Sequence, residues 1–180
     1  MVTIIFEAHG TTFDNETEKA SGHFDAALSP AGEQQSREMG ERYKNENLDA
    51  IFCSDLQRSY KSAEIAFAGR DVPIIKDARL RECDYGDLTL HPSEEVKKEK
   101  PSRISTSFPN GESYNQTSER IKGFLNDLIE NYDGKKVMVV GHRATQYGLE
   151  HWINKVPLEV IIPAPWKWQP GWIYELKNKL

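Results

Sequence analysis

Two imidazoles, two guanidiniums and a carboxylate stand just after the short apolar runs of this chain. His9 follows the β-branched run Val2–Phe6, Ser54, Asp55 and Arg58 follow DAIFC, Glu82 follows ARL, and His142 with Arg143 follows VMVVG. Open α/β sheets bind ligands at the carboxyl ends of their strands, so these residues are candidates for one shared crevice. The helix that opens at Arg143 would aim unpaired N–H groups and the positive end of its dipole at the same place. Together they describe an anion pocket with a candidate nucleophile and a candidate general acid. That is the equipment of phosphoryl transfer.

The elements that must hold these groups alternate. Strand-like runs lie at Val2–Phe6, Asp49–Cys53, Val72–Ile75, Val137–Val140 and Trp172–Leu176. Between them, Ser29-Pro30 reads as an N-cap and first helical residue of a helix running to about Lys44. Ser54 or Asp55 can cap a second helix that ends at Gly69. Apolar residues from Tyr114 to Tyr132 recur at spacings of three, four and seven, which predicts the longest helix over 112–132. Alternating strands and helices imply parallel crossovers and a three-layer α/β/α sandwich with a mostly parallel central sheet. Residues 88–111 fit neither period and read as an excursion covering the site.

At 180 residues without a linker-like stretch, the chain is expected to form a single domain over 1–180. A formal charge of −5 argues against a nucleic-acid or anionic-membrane partner, which needs a concentrated basic surface. The amino terminus lacks a charged start and a long apolar region, so a soluble cytoplasmic protein is expected. Cys53 and Cys83 have no metal-ligand spacing and read as ordinary reduced thiols.

Six short stretches then carry a resemblance. AHGTTFDN at 8–15, DAALSPAGEQQ from Asp25, SDLQRSYKSAE from Ser54, LRECDYG from Leu80, NGES from Asn110 and VVGH from Val139 occur in the order and spacing of the histidine phosphatase superfamily, the phosphoglycerate-mutase-like proteins. The sequence resembles that family along nearly its whole length. The resemblance implies that His9 attacks phosphorus and carries a phosphohistidine, where a purely structural histidine is the plainer reading. Arg58 would grip phosphate oxygens, His142 would donate to the transferring group, and Glu82 would protonate the leaving alcohol and then activate water. Gly10, Thr12 and Asn15 complete the implied substrate contacts, with loop ordering as the other role for Asn15, and Arg143, which stands where the family often has a small residue, is a further candidate for substrate binding. The basic side chains do the neutralising, so no metal or cofactor is implied.

The chain departs from the pattern at Ala8, where the family places an arginine that pairs with phosphoryl oxygens. Three accounts compete: a natural change compensated by Arg143, a natural change that leaves a weak phospho-ligand-binding or regulatory domain, or a change introduced to trap a ligand. Glu7, at the end of a buried strand, needs a cationic partner, for which Arg143 and Arg58 are the candidates. A second departure is Asp87-Leu88-Thr89-Leu90-His91, which stands where small residues usually follow the acid. The chain is short for the insertions of a phosphoglycerate mutase, which favours phosphomonoester hydrolysis of a small phosphorylated metabolite. Trp166, Trp168 and Trp172 are candidates for stacking on substrate, for core packing or for a dimer surface, and the oligomeric state stays open. His23 is placed near the entrance, His91 and His151 have only weak claims on the site, and the basic run Lys97–Arg103 reads as a solvated face.

Overall fold

The β-branched start of the chain is covered from both sides, because Val2, Ile4, Ile5, Phe6 and Glu7 are all buried. In the computed structural model, which describes all 180 residues, this segment is strand β1 (Val2–Ala8) of a five-stranded sheet. The others are β2 (Ala50–Cys53), β3 (Ile74–Lys76), β4 (Lys136–Gly141) and β5 (Trp172–Leu176), in the order β3-β2-β4-β1-β5. All neighbours are parallel except β1 and β5. β3 starts later than Val72 because Pro73 has no N–H for the ladder; its carbonyl accepts instead from the Ile51 N–H at 2.9 Å.

Strand alternation sends the two faces of β1 into different cores. Val2, Ile4 and Phe6 pack with Ile121, Phe124, Leu125 and Leu128 of the long helix and with Leu149. Ile5 packs on the other face with Met39, Ala63, Met138 and Val140. The helices, in chain order, are α1 (Phe13–Glu16), α2 (Pro30–Arg42), α3 (Gln57–Ala66), α4 (Ser93–Glu99), α5 (Tyr114–Asn131), α6 (Arg143–Trp152) and α7 (Leu158–Ile161). α2 and α3 cover one face and α5 and α6 the other, giving the three-layer sandwich.

The helix starts follow their caps. Ser29 accepts the Gly32 N–H with Pro30 in the first turn, and Ser113 and Gln116 close a reciprocal capping box on α5. α3 is different. Neither Ser54 nor Asp55 is its N-cap; Leu56 holds that position, and Asp25, from a distant loop, accepts the Gln57 N–H at 2.6 Å. The excursion at 88–111 contains α4 and builds a core of its own, in which Val96 and Phe108 pack with Cys83, Tyr85, Tyr114 and Tyr147.

Candidate active site

Register decides what meets at the carboxyl edge. Ala8 pairs with Gly141, and Cys53 pairs with Val140. The next residues, His9, His142 and Ser54, therefore emerge side by side from three adjacent strands. The His9 and His142 rings lie 5.0 Å apart, and the Ser54 hydroxyl is 2.6 Å from His142 Nε2. Gly10 turns the chain away against α2, where any Cβ would come within 2.3 Å of the Gly32 carbonyl oxygen, so only glycine fits.

His9 Nδ1 lies 2.7 Å from the Gly10 carbonyl oxygen, which can only accept. The ring proton therefore sits on Nδ1, and Nε2 keeps a free lone pair. Burial, and then the Arg58 guanidinium, hold the imidazole down to about 3 on the pKa scale, so it is neutral near pH 7. His142 is 1% exposed, is likewise pushed well below the ordinary range by burial and Arg58, and keeps Nδ1 without a hydrogen-bond partner. Arg58 is also buried, and burial lowers its pKa; it donates to the carbonyls of Phe24 at 2.8 Å and Gly22 at 2.6 Å. Three of its five N–H groups remain for a ligand. The serines of the SDLQRSYKS stretch build the floor: Ser59 ties β2 to β4 through Ser54 N and the Val140 carbonyl, and Ser62 accepts the Gly10 N–H.

Glu82 stands on a loop pinned from four directions. Arg81 makes a two-pronged pair with Asp55 at 2.7 and 2.6 Å, and the Thr145 hydroxyl donates to the Leu80 carbonyl while accepting the His142 N–H. His23 lies 2.8 Å from the Glu82 carbonyl. Arg120, from α5, donates to the carbonyls of Arg79, Arg81 and Glu82 and pairs with Glu112. Sequence inspection passes over Arg120, since on a helical period it is one polar position among many; only its place after NGES hints at the Glu112 partner.

Several expectations are redistributed. Gly10 spends its N–H on Ser62 rather than on the crevice. Thr12 and Asn15 engage each other in the capping box of α1, the loop-ordering role. Glu7 is paired with neither Arg143 nor Arg58. It faces α2, accepting from Tyr43 at 2.8 Å and Arg42 at 3.2 Å, because strand alternation turns it away from α6. Burial still raises its pKa. Arg143 instead lies with its guanidinium 4.9 Å over the Trp166 ring, and Trp166 stacks on Trp172 of β5. Trp168 meets Arg42 away from the histidines. His91 pairs with Glu95, and His151 meets the Val156 carbonyl, both outside the site. The run Lys97–Arg103 is not uniformly solvated, for Lys100 is buried beside Tyr147, with Arg143 and Glu82 among its nearest charges. Both cysteines are free and buried, and burial pushes the Cys53 thiol up to about 12.

The sequence pattern of the histidine phosphatase superfamily (branch 1) matches residues 4–167. The chain belongs to that superfamily. It is 35% identical over 149 residues to the uncharacterized phosphatase PhoE of Bacillus subtilis (strain 168), spanning 83% of this chain and 76% of that one. It is 29% identical over 170 residues to the probable phosphoglycerate mutase GpmB of Citrobacter koseri, spanning 86% and 79%. Bacillus stearothermophilus YhfR superposes with a TM-score of 0.87 over 99% of this chain and 93% of its own, at 24% identity, a likeness of fold. Family membership and the phosphatase-named relative mark the chain as an enzyme of the histidine phosphatase type. None of its helices is long and apolar enough to cross a membrane.

Proposed function

We propose that this chain hydrolyses small phosphomonoesters through a phosphohistidine on His9. The observation that carries the reading is the state of His9: neutral, with Nδ1–H fixed on the Gly10 carbonyl and Nε2 unengaged. Nε2 attacks phosphorus, the P–N bond forms as the ester P–O bond breaks, and the departing alkoxide takes the Glu82 proton. Water then gives a proton back to Glu82 and attacks phosphorus, breaking the P–N bond and releasing inorganic phosphate. Arg58 supplies charge-assisted donors to the phosphoryl oxygens throughout. His142, whose ring lies 5.0 Å from that of His9, supplies a further donor to the same oxygens.

The phosphatase name of one relative supports hydrolysis over mutase chemistry. A regulatory, non-catalytic binder would have no use for a neutral histidine whose Nε2 is left free. Rapid mixing with 4-nitrophenyl phosphate, a basic quench to preserve acid-labile P–N bonds, and peptide mass spectrometry should find one phosphoryl group on His9. Steady turnover with no phosphorylated histidine at any quench time would rule the covalent route out.

A further inference from the structure

The peptide group between Glu82 and Cys83 has both of its ends in use. Its N–H, on Cys83, donates to the Glu82 carboxylate itself, 2.8 Å from Oε1, and so aims the proposed general acid. Its carbonyl, on Glu82, accepts from two side chains that approach from different elements, Arg120 at 2.8 Å and His23 at 2.8 Å. A peptide group is planar, so whatever holds the oxygen also fixes the direction of the N–H at the other end. His23 therefore acts on the acid through one rigid group.

Arg58 determines where His23 stands. The residues on either side of His23, Gly22 and Phe24, are the two whose carbonyls accept from the Arg58 guanidinium, at 2.6 and 2.8 Å. Gly22 has φ +51° and rests on the acid's own loop, where a Cβ would come within 3.2 Å of the Tyr85 nitrogen and 3.4 Å of the Cys83 carbonyl oxygen. The backbone on both sides of His23 is thus held before its ring reaches across. Because a carbonyl can only accept, the ring proton shared with Glu82 sits on Nε2. The carboxylates of Asp84 and Glu112 flank the ring, 3.6 Å from Nδ1 and 3.7 Å from Nε2, and Glu112 is in turn paired with Arg120.

We propose that His23 is a positioning residue that fixes the Glu82 carboxylate relative to the Arg58 guanidinium, so that an ester oxygen lies in line for its proton once Arg58 grips the phosphate. This rests on the phosphatase reading above, with Glu82 as general acid. His23 acts through Glu82 and transfers no proton itself. Its contribution is confined to leaving groups that need a proton. A histidine that merely kept these loops folded would serve Arg58 and Glu82 alike, and its loss would weaken phosphate binding together with turnover.

Propyl phosphate and 4-nitrophenyl phosphate, hydrolysed by the full chain, separate the two roles, because only the alkyl leaving group needs a proton. In His23→Ala, kcat for propyl phosphate is expected to fall about tenfold further than kcat for 4-nitrophenyl phosphate, while inhibition by inorganic phosphate stays close to wild type. His23→Gln, whose side-chain N–H reaches as far as Nε2, should recover most of the difference; His23→Asn, whose amide ends level with Nδ1, should not. Adding His23→Ala to Glu82→Gln should widen the gap between the esters no further, since the proton it positions is already gone. Equal losses on both esters in His23→Ala, phosphate inhibition weakened in step with turnover, or a glutamine no better than the asparagine overturns the role. Wild-type protein that hydrolyses neither ester, or a Glu82→Gln variant that slows both equally, fails the phosphatase reading itself, and the role of His23 falls with it. Thermal melting shows whether His23→Ala keeps its fold; if it does not, the comparison of glutamine with asparagine decides.

Discussion

Ala8 sits one residue before the nucleophile, half-buried and paired with Gly141. On the residue scale it raises the sharpest question, because the resemblance places an arginine there. Compensation by Arg143 drew its force from a pairing with Glu7, and Glu7 is instead satisfied by Tyr43 and Arg42. Arg143 is held over Trp166. On the proposed chemistry Arg58 is then the guanidinium that meets the phosphoryl oxygens, and an arginine at position 8 would add a second. Ala8→Arg is expected to raise kcat for 4-nitrophenyl phosphate by about tenfold or more, since a guanidinium aimed at the transferring group is worth up to roughly 10³–10⁵ in rate when perfectly placed. An unchanged or lower kcat in a well-folded variant would show that the position is already served by another cation.

Among the elements, the loop that carries Glu82 depends most on distant helices. Arg120 reaches from α5 to the carbonyls of Arg79, Arg81 and Glu82 and to Glu112, whose carboxylate in turn accepts the Asp84 N–H. Arg120 is therefore a positioning residue for the proposed general acid, and its loss should resemble a misplaced proton donor. In Arg120→Met, kcat should fall at least tenfold further for an alkyl phosphate than for 4-nitrophenyl phosphate, whose leaving group needs no proton, and Arg120→Lys should recover part of the difference. Equal losses on both substrates would assign Arg120 to general stability alone. How much was legible in the sequence follows the same division. Strand ends, the Ser29 and Ser113 caps and the α5 stripe could be read, because each is written in residues within a few positions of one another. The partners of Glu7, 35 and 36 residues away, the external cap of α3, the clamp of Arg120 and the burial of Lys100 could not. A local period says which way a side chain points but not what the chain brings opposite it.

For the whole molecule, the neutral buried histidines set the acid side of stability. His9 and His142 both resist protonation in the fold, while in the unfolded chain they take up protons near pH 6.5. Between pH 6.5 and about 3 the unfolded state thus binds more protons, and stability is lost as pH falls, by up to about 1.4 kcal/mol per pH unit for each ring. Glu7, whose pKa is raised, acts in the opposite sense only below that window's upper part, near the carboxylate range. Urea midpoints should drop from pH 7 to pH 5, and His9→Asn should flatten the slope by about one proton; a slope unaltered by that substitution would mean that the imidazole is solvated. The sheet order carries one more consequence, in the time domain. β1 is the first strand of the chain, yet its two neighbours are the last, with Thr3 facing Lys136 on one side and Glu175 on the other. During synthesis the strand that presents His9 must wait, without a ladder on either edge, until almost all of the chain has left the ribosome. Closing loops of that length is slow, and unpaired apolar strands invite aggregation. The catalytic edge is thereby among the last parts to assemble, so an incomplete nascent chain displays a sticky strand but no working nucleophile.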